Sequence, residues 1–134
     1  MPATSFESTF DALRGVLQRH AKHLIVTIDK HGDYQVASPR LKDRTGRPLF
    51  LAAVQIKKNY VSYHLIPVYA IPALVETMSP ELRKRMQGKS CFNFTTIDKA
   101  QLKELDTLTE AGLAAMKDVE LPWGRETEAS RRRL

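Results

Sequence analysis

Two alternating stretches in the middle of the chain constrain its fold more than any other feature. Phe50, Ala52, Val54 and Ile56 alternate with Leu51, Ala53, Gln55 and Lys57, and Val61, Tyr63 and Leu65 alternate with Ser62, His64 and Ile66. A period of two is the repeat of a strand, whose successive side chains point to opposite faces. Lys58-Asn59 between them reads as a turn, because Asn tolerates left-handed backbone geometry. Pairing Lys57 with Tyr60 across that turn sets Val54 opposite Tyr63 and Ala52 opposite Leu65 on an apolar side, which Phe50 joins. It sets Gln55 opposite Ser62 and Ala53 opposite His64 on the other side. One face then reads as core and the other as polar and partly open.

The flanking sequence supplies the rest of an α+β domain. Thr4-Ser5-Phe6-Glu7 has the form of a capping box. Phe6, Phe10, Leu13 and Leu17 follow at helical spacing, so a helix is expected over Ser5 to His20, its apolar stripe docked on the sheet. Leu24 to Ile28 is β-branched and apolar, His31-Gly32-Asp33 is a turn, and Tyr34 to Ser38 is the return strand, ended by Pro39. The basic loop Arg40 to Pro48 reads as a solvated connection. Beyond the central hairpin, Tyr69-Ala70-Ile71-Pro72 opens a helical turn. Ser79-Pro80-Glu81-Leu82 starts a further helix, with Ser as cap and Pro in the first turn, and Gly88 closes it. Ser90 to Phe94 is a last strand. Asp98 with Gln101 caps a closing helix whose stripe runs Leu102, Leu105, Thr109, Gly112, Leu113 and Met116, with Gly112 permitting a close contact. Sequential strands joined by short turns pair antiparallel, so the fold class is α+β, an antiparallel sheet with the N-terminal and C-terminal helices packed on it.

At 134 residues the chain suits one domain. It divides into a domain over 1–124, with Pro122-Trp123-Gly124 pinning the closing helix, and a flexible basic tail over 125–134. One cysteine excludes a disulfide framework and a cysteine-rich zinc module. No apolar run reaches membrane-spanning length, and the N-terminus lacks an apolar signal core, so a cytoplasmic protein without a membrane partner is expected. The net charge is +6 and the sequence pI about 9.6. Arg131, Arg132 and Arg133 account for half of that excess, and the rest bears on solubility more than on identity.

VQIKKNYVSYHLIPVY, the later SP-x-L-x-x-R-M-x-GKSCFNF and ELDTLTEAG together resemble the YdhG-like domain family, a domain of unknown function. The likeness runs from about Lys22 to Gly112. It implies a compact α+β domain with an antiparallel sheet and packed helices, and no settled biochemistry. Some relatives are linked to frataxin-like iron handling, but such surfaces are acidic, and no acidic ridge occurs in this chain.

The polar face collects the candidate site. With Phe92 and Phe94 toward the core, Cys91 and Asn93 join Gln55, Lys57, Ser62 and His64. Convergent polar groups on an otherwise apolar sheet suit a small ligand. Lys57 supplies charge, His64 a donor or titratable acceptor, and Asn93 and Gln55 orientation, so an anionic or carbonyl-bearing small molecule is the expected partner. The same groups are also explained by helices that cover this face and by bonds to one another or to backbone. The alternative is phosphate or nucleic-acid binding through Lys57, Lys58, Arg83, Lys84 and the loop from Arg40 to Arg47, with Tyr34, Tyr60, Tyr63 and Tyr69 available for stacking. Cys91 with His64 has the elements of a nucleophile and base, but no third residue to orient them. His20 and His23, and Asp29, His31 and Asp33, lack metal-ligand spacing. No catalytic residue, metal site or cofactor is therefore assigned.

Overall fold

Every strand of the sheet lies beside its neighbour in sequence, and every adjacent pair is antiparallel. The structure, a computed structural model, describes residues 2–88, 90–117 and 119; the Pro122-Trp123-Gly124 pin, the domain boundary and the tail from Arg125 lie outside them. Helix α1 (Pro2–His20) leads through a 3-10 turn to strands β1 (Ile25–Lys30), β2 (Asp33–Lys42), β3 (Pro48–Ile56) and β4 (Val61–Leu65). Then come α2 (Ile66–Ala70), a 3-10 segment (Pro72–Thr77), α3 (Pro80–Arg83), β5 (Cys91–Phe94) and α4 (Lys99–Met116).

The central hairpin has the register that alternation predicts. Val54 pairs with Tyr63, Ala52 with Leu65, Gln55 with Ser62 and Ala53 with His64. The Lys57 N–H donates to the Tyr60 carbonyl at 2.8 Å. Asn59 does not use left-handed geometry, since no described residue other than glycine has positive φ. On the apolar face Tyr34, Val36, Ala52, Val54, Val61, Tyr63, Leu65, Phe92 and Phe94 meet Phe10, Leu13, Val16 and Leu17 of α1 and Leu105 and Leu108 of α4. Both long helices thus pack on one side of the sheet. Burying each of these large apolar side chains contributes about 1.5–3 kcal/mol before entropy is counted. Inside this core the Tyr63 hydroxyl bonds to that of Thr109.

Local signals set most of the helix ends. Ser79 Oγ accepts from the Leu82 N–H, and Asp98 Oδ1 accepts from the Gln101 N–H at 2.7 Å. Glu104 of α4 accepts from both the N–H and the hydroxyl of Ser79, each at 2.7 Å, which ties α3 to α4.

Five expectations are corrected. Helix α1 begins at Pro2, so Thr4 lies inside it and not at its cap. β2 runs through Pro39 to Lys42. The ladder with β3 lapses between Ala37 and Lys42, so the missing proline N–H costs no pairing, and Ser38 Oγ takes up the Arg40 and Leu41 N–H groups instead. Strand β4 ends at Leu65, because Pro67 seats itself in the first turn of α2. Gly88 closes no helix: with φ of 81° it lies in the bend between β5 and residues 85–87, which pair along that strand's outer edge. Finally, Val36 pairs with Ala52 but Ala37 with Phe50, so Leu51 is an extra residue in β3. Such a bulge flips the phase of the strand before it. Phe50 therefore leaves the core face, and Leu51 packs with Leu41 and Met116 in a second, smaller cluster.

Candidate functional site

The register of the sheet assembles the polar face in two transverse rows. Asp33, Gln55, Ser62 and Asn93 are successive partners across β2 to β5, and Gln35, Ala53, His64 and Cys91 form the next row. At about 4.8 Å between strands each row is roughly 14 Å wide, the span of a small molecule. The small residues Ala53 and Ser62 are each 1% exposed and make the floor. Gln35, Gln55, His64, Cys91 and Asn93 are part-exposed around it. The long helices α1 and α4 pack with the apolar residues of the opposite face.

Two hydrogen-bonded groups divide the face. On the β2 side, Asp33 Oδ1 accepts from the amides of Gln35 at 3.0 Å and Gln55 at 3.2 Å. On the β5 side, His64 Nε2 lies 3.2 Å from Ser62 Oγ and 3.9 Å from Cys91 Sγ, while the Cys91 thiol donates to Asn93 Oδ1 at 3.6 Å. The Phe50 ring meets His64 edge-on, centroids 6.4 Å apart. Burial, with the Lys57 ammonium second, pushes the His64 pKa down. Burial raises that of Cys91 against the opposing pull of Lys57. His64 resists protonation and Cys91 resists ionisation, the reverse of an imidazolium–thiolate pair.

All six residues expected at the site thus share one side of the sheet, with exposed Lys57 one step beyond Gln55 on the same phase. Asp33, Gln35 and Phe50 were not expected there. A register for the first hairpin against the second would have revealed Asp33 and Gln35, but the connection over 43–47 hides it. Phe50 enters only through the bulge. Of the two alternatives left open on sequence, the bonds of these groups to one another are present, while the described long helices lie on the opposite face.

The other groupings disperse. Tyr34 and Tyr63 are buried in the core and unavailable for stacking. Arg40 donates to the carbonyls of Met116 and Val119, and Arg83 to that of Val75, so both guanidinium groups hold backbone. Arg40 thereby pins the end of α4, where a solvated connection was expected. Lys57, Lys58, Lys84 and Arg85 are exposed. His20 bonds to Asp106 at 2.7 Å and His31 to Glu7 at 2.9 Å. Among the described residues, no three of His, Cys, Asp and Glu are grouped to hold a metal ion, and no helix is long and apolar enough to cross a membrane. No family model, no curated protein and no solved structure matches the chain.

Proposed function

We propose that the domain is a small-ligand-binding module and that its site is the polar sheet face, with Gln55, Lys57, Ser62, His64, Cys91 and Asn93 facing an anionic or carbonyl-bearing molecule. The observation that carries the proposal is the gathering of these polar groups on the sheet face opposite the described long helices, around the small buried residues Ala53 and Ser62. Polar groups collected on one face of an otherwise apolar sheet suit a small ligand. Membership of the YdhG-like family, proposed on the stretches quoted above, agrees with such a role without defining a ligand. Catalysis forms no part of the proposal; burial works against an imidazolium–thiolate pair of His64 and Cys91. The basic-surface alternative is the weaker one, since Arg40 and Arg83 are spent on carbonyls.

The test is native mass spectrometry of the protein taken gently from cell extract, beside denaturant melts of the parent and of His64→Ala. The expected result is a small molecule retained by the parent and lost from the variant, whose stability falls by about 1–3 kcal/mol, the cost of leaving the Ser62 hydroxyl without its acceptor. A parent that carries nothing makes His64 a packing residue that serves Ser62 and ends the proposal.

A further inference from the structure

The position of one proton on this face follows from burial and hydrogen-bond inventory. A serine hydroxyl has one proton to donate, and a buried hydroxyl needs an acceptor for it. Ser62 is 1% exposed in the middle of β4, and among the described residues its hydroxyl has one partner, His64 Nε2 at 3.2 Å. If Nε2 carried the ring proton, it would donate to Ser62 Oγ and leave the hydroxyl proton buried without an acceptor. If Nε2 carries a lone pair, the hydroxyl is satisfied. The neighbouring thiol does not upset the choice, because it donates to Asn93 Oδ1. A doubly protonated ring is opposed by burial and by Lys57.

We infer that Ser62 is a positioning residue that fixes His64 as the neutral tautomer with its proton on Nδ1, and that the ligand of this face is a small oxyanion, a carboxylate or phosphate, accepting from that N–H. The inference rests on the ligand-binding reading above and names its chemistry. Nδ1 is not a buried atom without a partner; Arg14 Nε is the single one among the described residues. Nδ1–H therefore meets solvent. On the neighbouring strand Asn93 has its oxygen committed to the thiol, which leaves its amide N–H groups to donate, and the Lys57 ammonium acts on the His64 ring. Three donor groups, one of them an ammonium, match an oxygen anion at the β5 end of the face; the Asp33 carboxylate stands three strands away from Asn93, its Oδ1 taken up by the Gln35 and Gln55 amides.

Long-range proton–nitrogen NMR correlations of the histidine rings read the tautomer directly, without any ligand. The expected spectrum of the parent near neutral pH has His64 Nδ1 protonated and Nε2 bare. Ser62→Thr should keep that pattern, whereas Ser62→Val, of the same shape without the hydroxyl, should lose it and populate the Nε2–H form. A general packing role for Ser62 would not separate Thr from Val. Finding His64 protonated on Nε2 in the parent overturns the positioning role, and that measurement stands even if both variants fail to fold. Titration of the parent with acetate, inorganic phosphate and ethylammonium tests the ligand class separately. Saturable shifts at the His64 ring and the Asn93 amide with acetate or phosphate, and none with ethylammonium, are expected; whichever of the two anions acts at lower concentration distinguishes carboxylate from phosphate. Response to ethylammonium alone, or to none of the three, overturns the oxyanion assignment while leaving the tautomer result in place. A retained cellular ligand without an oxyanion group would overturn the assignment but not the ligand-binding reading.

Discussion

Gly112 lies on the buried face of α4 against Pro67 of α2, and replacing it with alanine puts the packing of these helices to a quantitative test. A Cβ built there falls 2.8 Å from Pro67 Cβ, 3.4 Å from its Cγ and 3.5 Å from Leu74 Cδ1. Carbon atoms rest at about 3.5–4.0 Å. The proline ring cannot rotate away as a longer side chain would, because it is closed onto the backbone. Relief therefore requires α2 to move, and α2 follows directly from Leu65, whose N–H is bound to the Ser90 carbonyl at 2.8 Å. Overpacking of this kind costs about 1–3 kcal/mol, and the better helix propensity of alanine returns up to about 1 kcal/mol. Gly112→Ala should thus destabilise by about 1 kcal/mol, a fall of roughly 3–5 °C in Tm for a domain of this size. Gly15 provides an internal control, since its nearest neighbour to a new Cβ is the far end of Arg19 at 4.0 Å. Gly15→Ala should gain up to about 1 kcal/mol from propensity alone. Urea and thermal melts followed by circular dichroism measure both. A Gly112→Ala protein as stable as the parent, or one that rises together with Gly15→Ala, refutes the close approach of α4 to Pro67.

Tyr63→Phe strands the Thr109 hydroxyl, in a position with no exposure, and should cost about 1–3 kcal/mol in urea melts; adding Thr109→Val removes the orphan and should recover part of that loss, so a strictly additive double variant argues against the bond. Asp106 is raised by burial but more strongly lowered by its bonds to His20 and Arg19, so its folded pKa lies below the unfolded one. The stability it contributes is present above the usual carboxylate value, near pH 4, and is lost as the pH falls through the folded value. The acid limb of the parent's melting temperature should accordingly be steeper than that of Asp106→Asn; identical limbs would mean that the α1–α4 contact carries no such linkage.

How much of this was legible in the sequence depends on the range of the interaction concerned. Alternation over residues 50–65 determined the pairing of Val54 with Tyr63 and of Ala53 with His64, because a two-residue connection leaves little choice of register and a one-residue slip would turn every core side chain to solvent. The same parity placed Cys91 and Asn93 beside His64 and Ser62. Caps at Ser79 and Asp98 and the contact surface at Gly112 were equally local, since each depends on a residue type at a helical offset. Tertiary structure alone decided the bulge at Leu51. That residue leaves the alternation because Leu41 and Met116, distant in the chain, offer it a better apolar contact than the strand phase would. The displaced Phe50 then reaches the His64 ring, and Asp33 and Gln35 arrive through a pairing whose connecting loop carries no register signal. Whether the polar face would be covered was also beyond a one-dimensional pattern. Each helix stripe states that it must bury one side, but which face of the sheet receives it is settled by all the packing contacts together, and here the described helices fell on the same one.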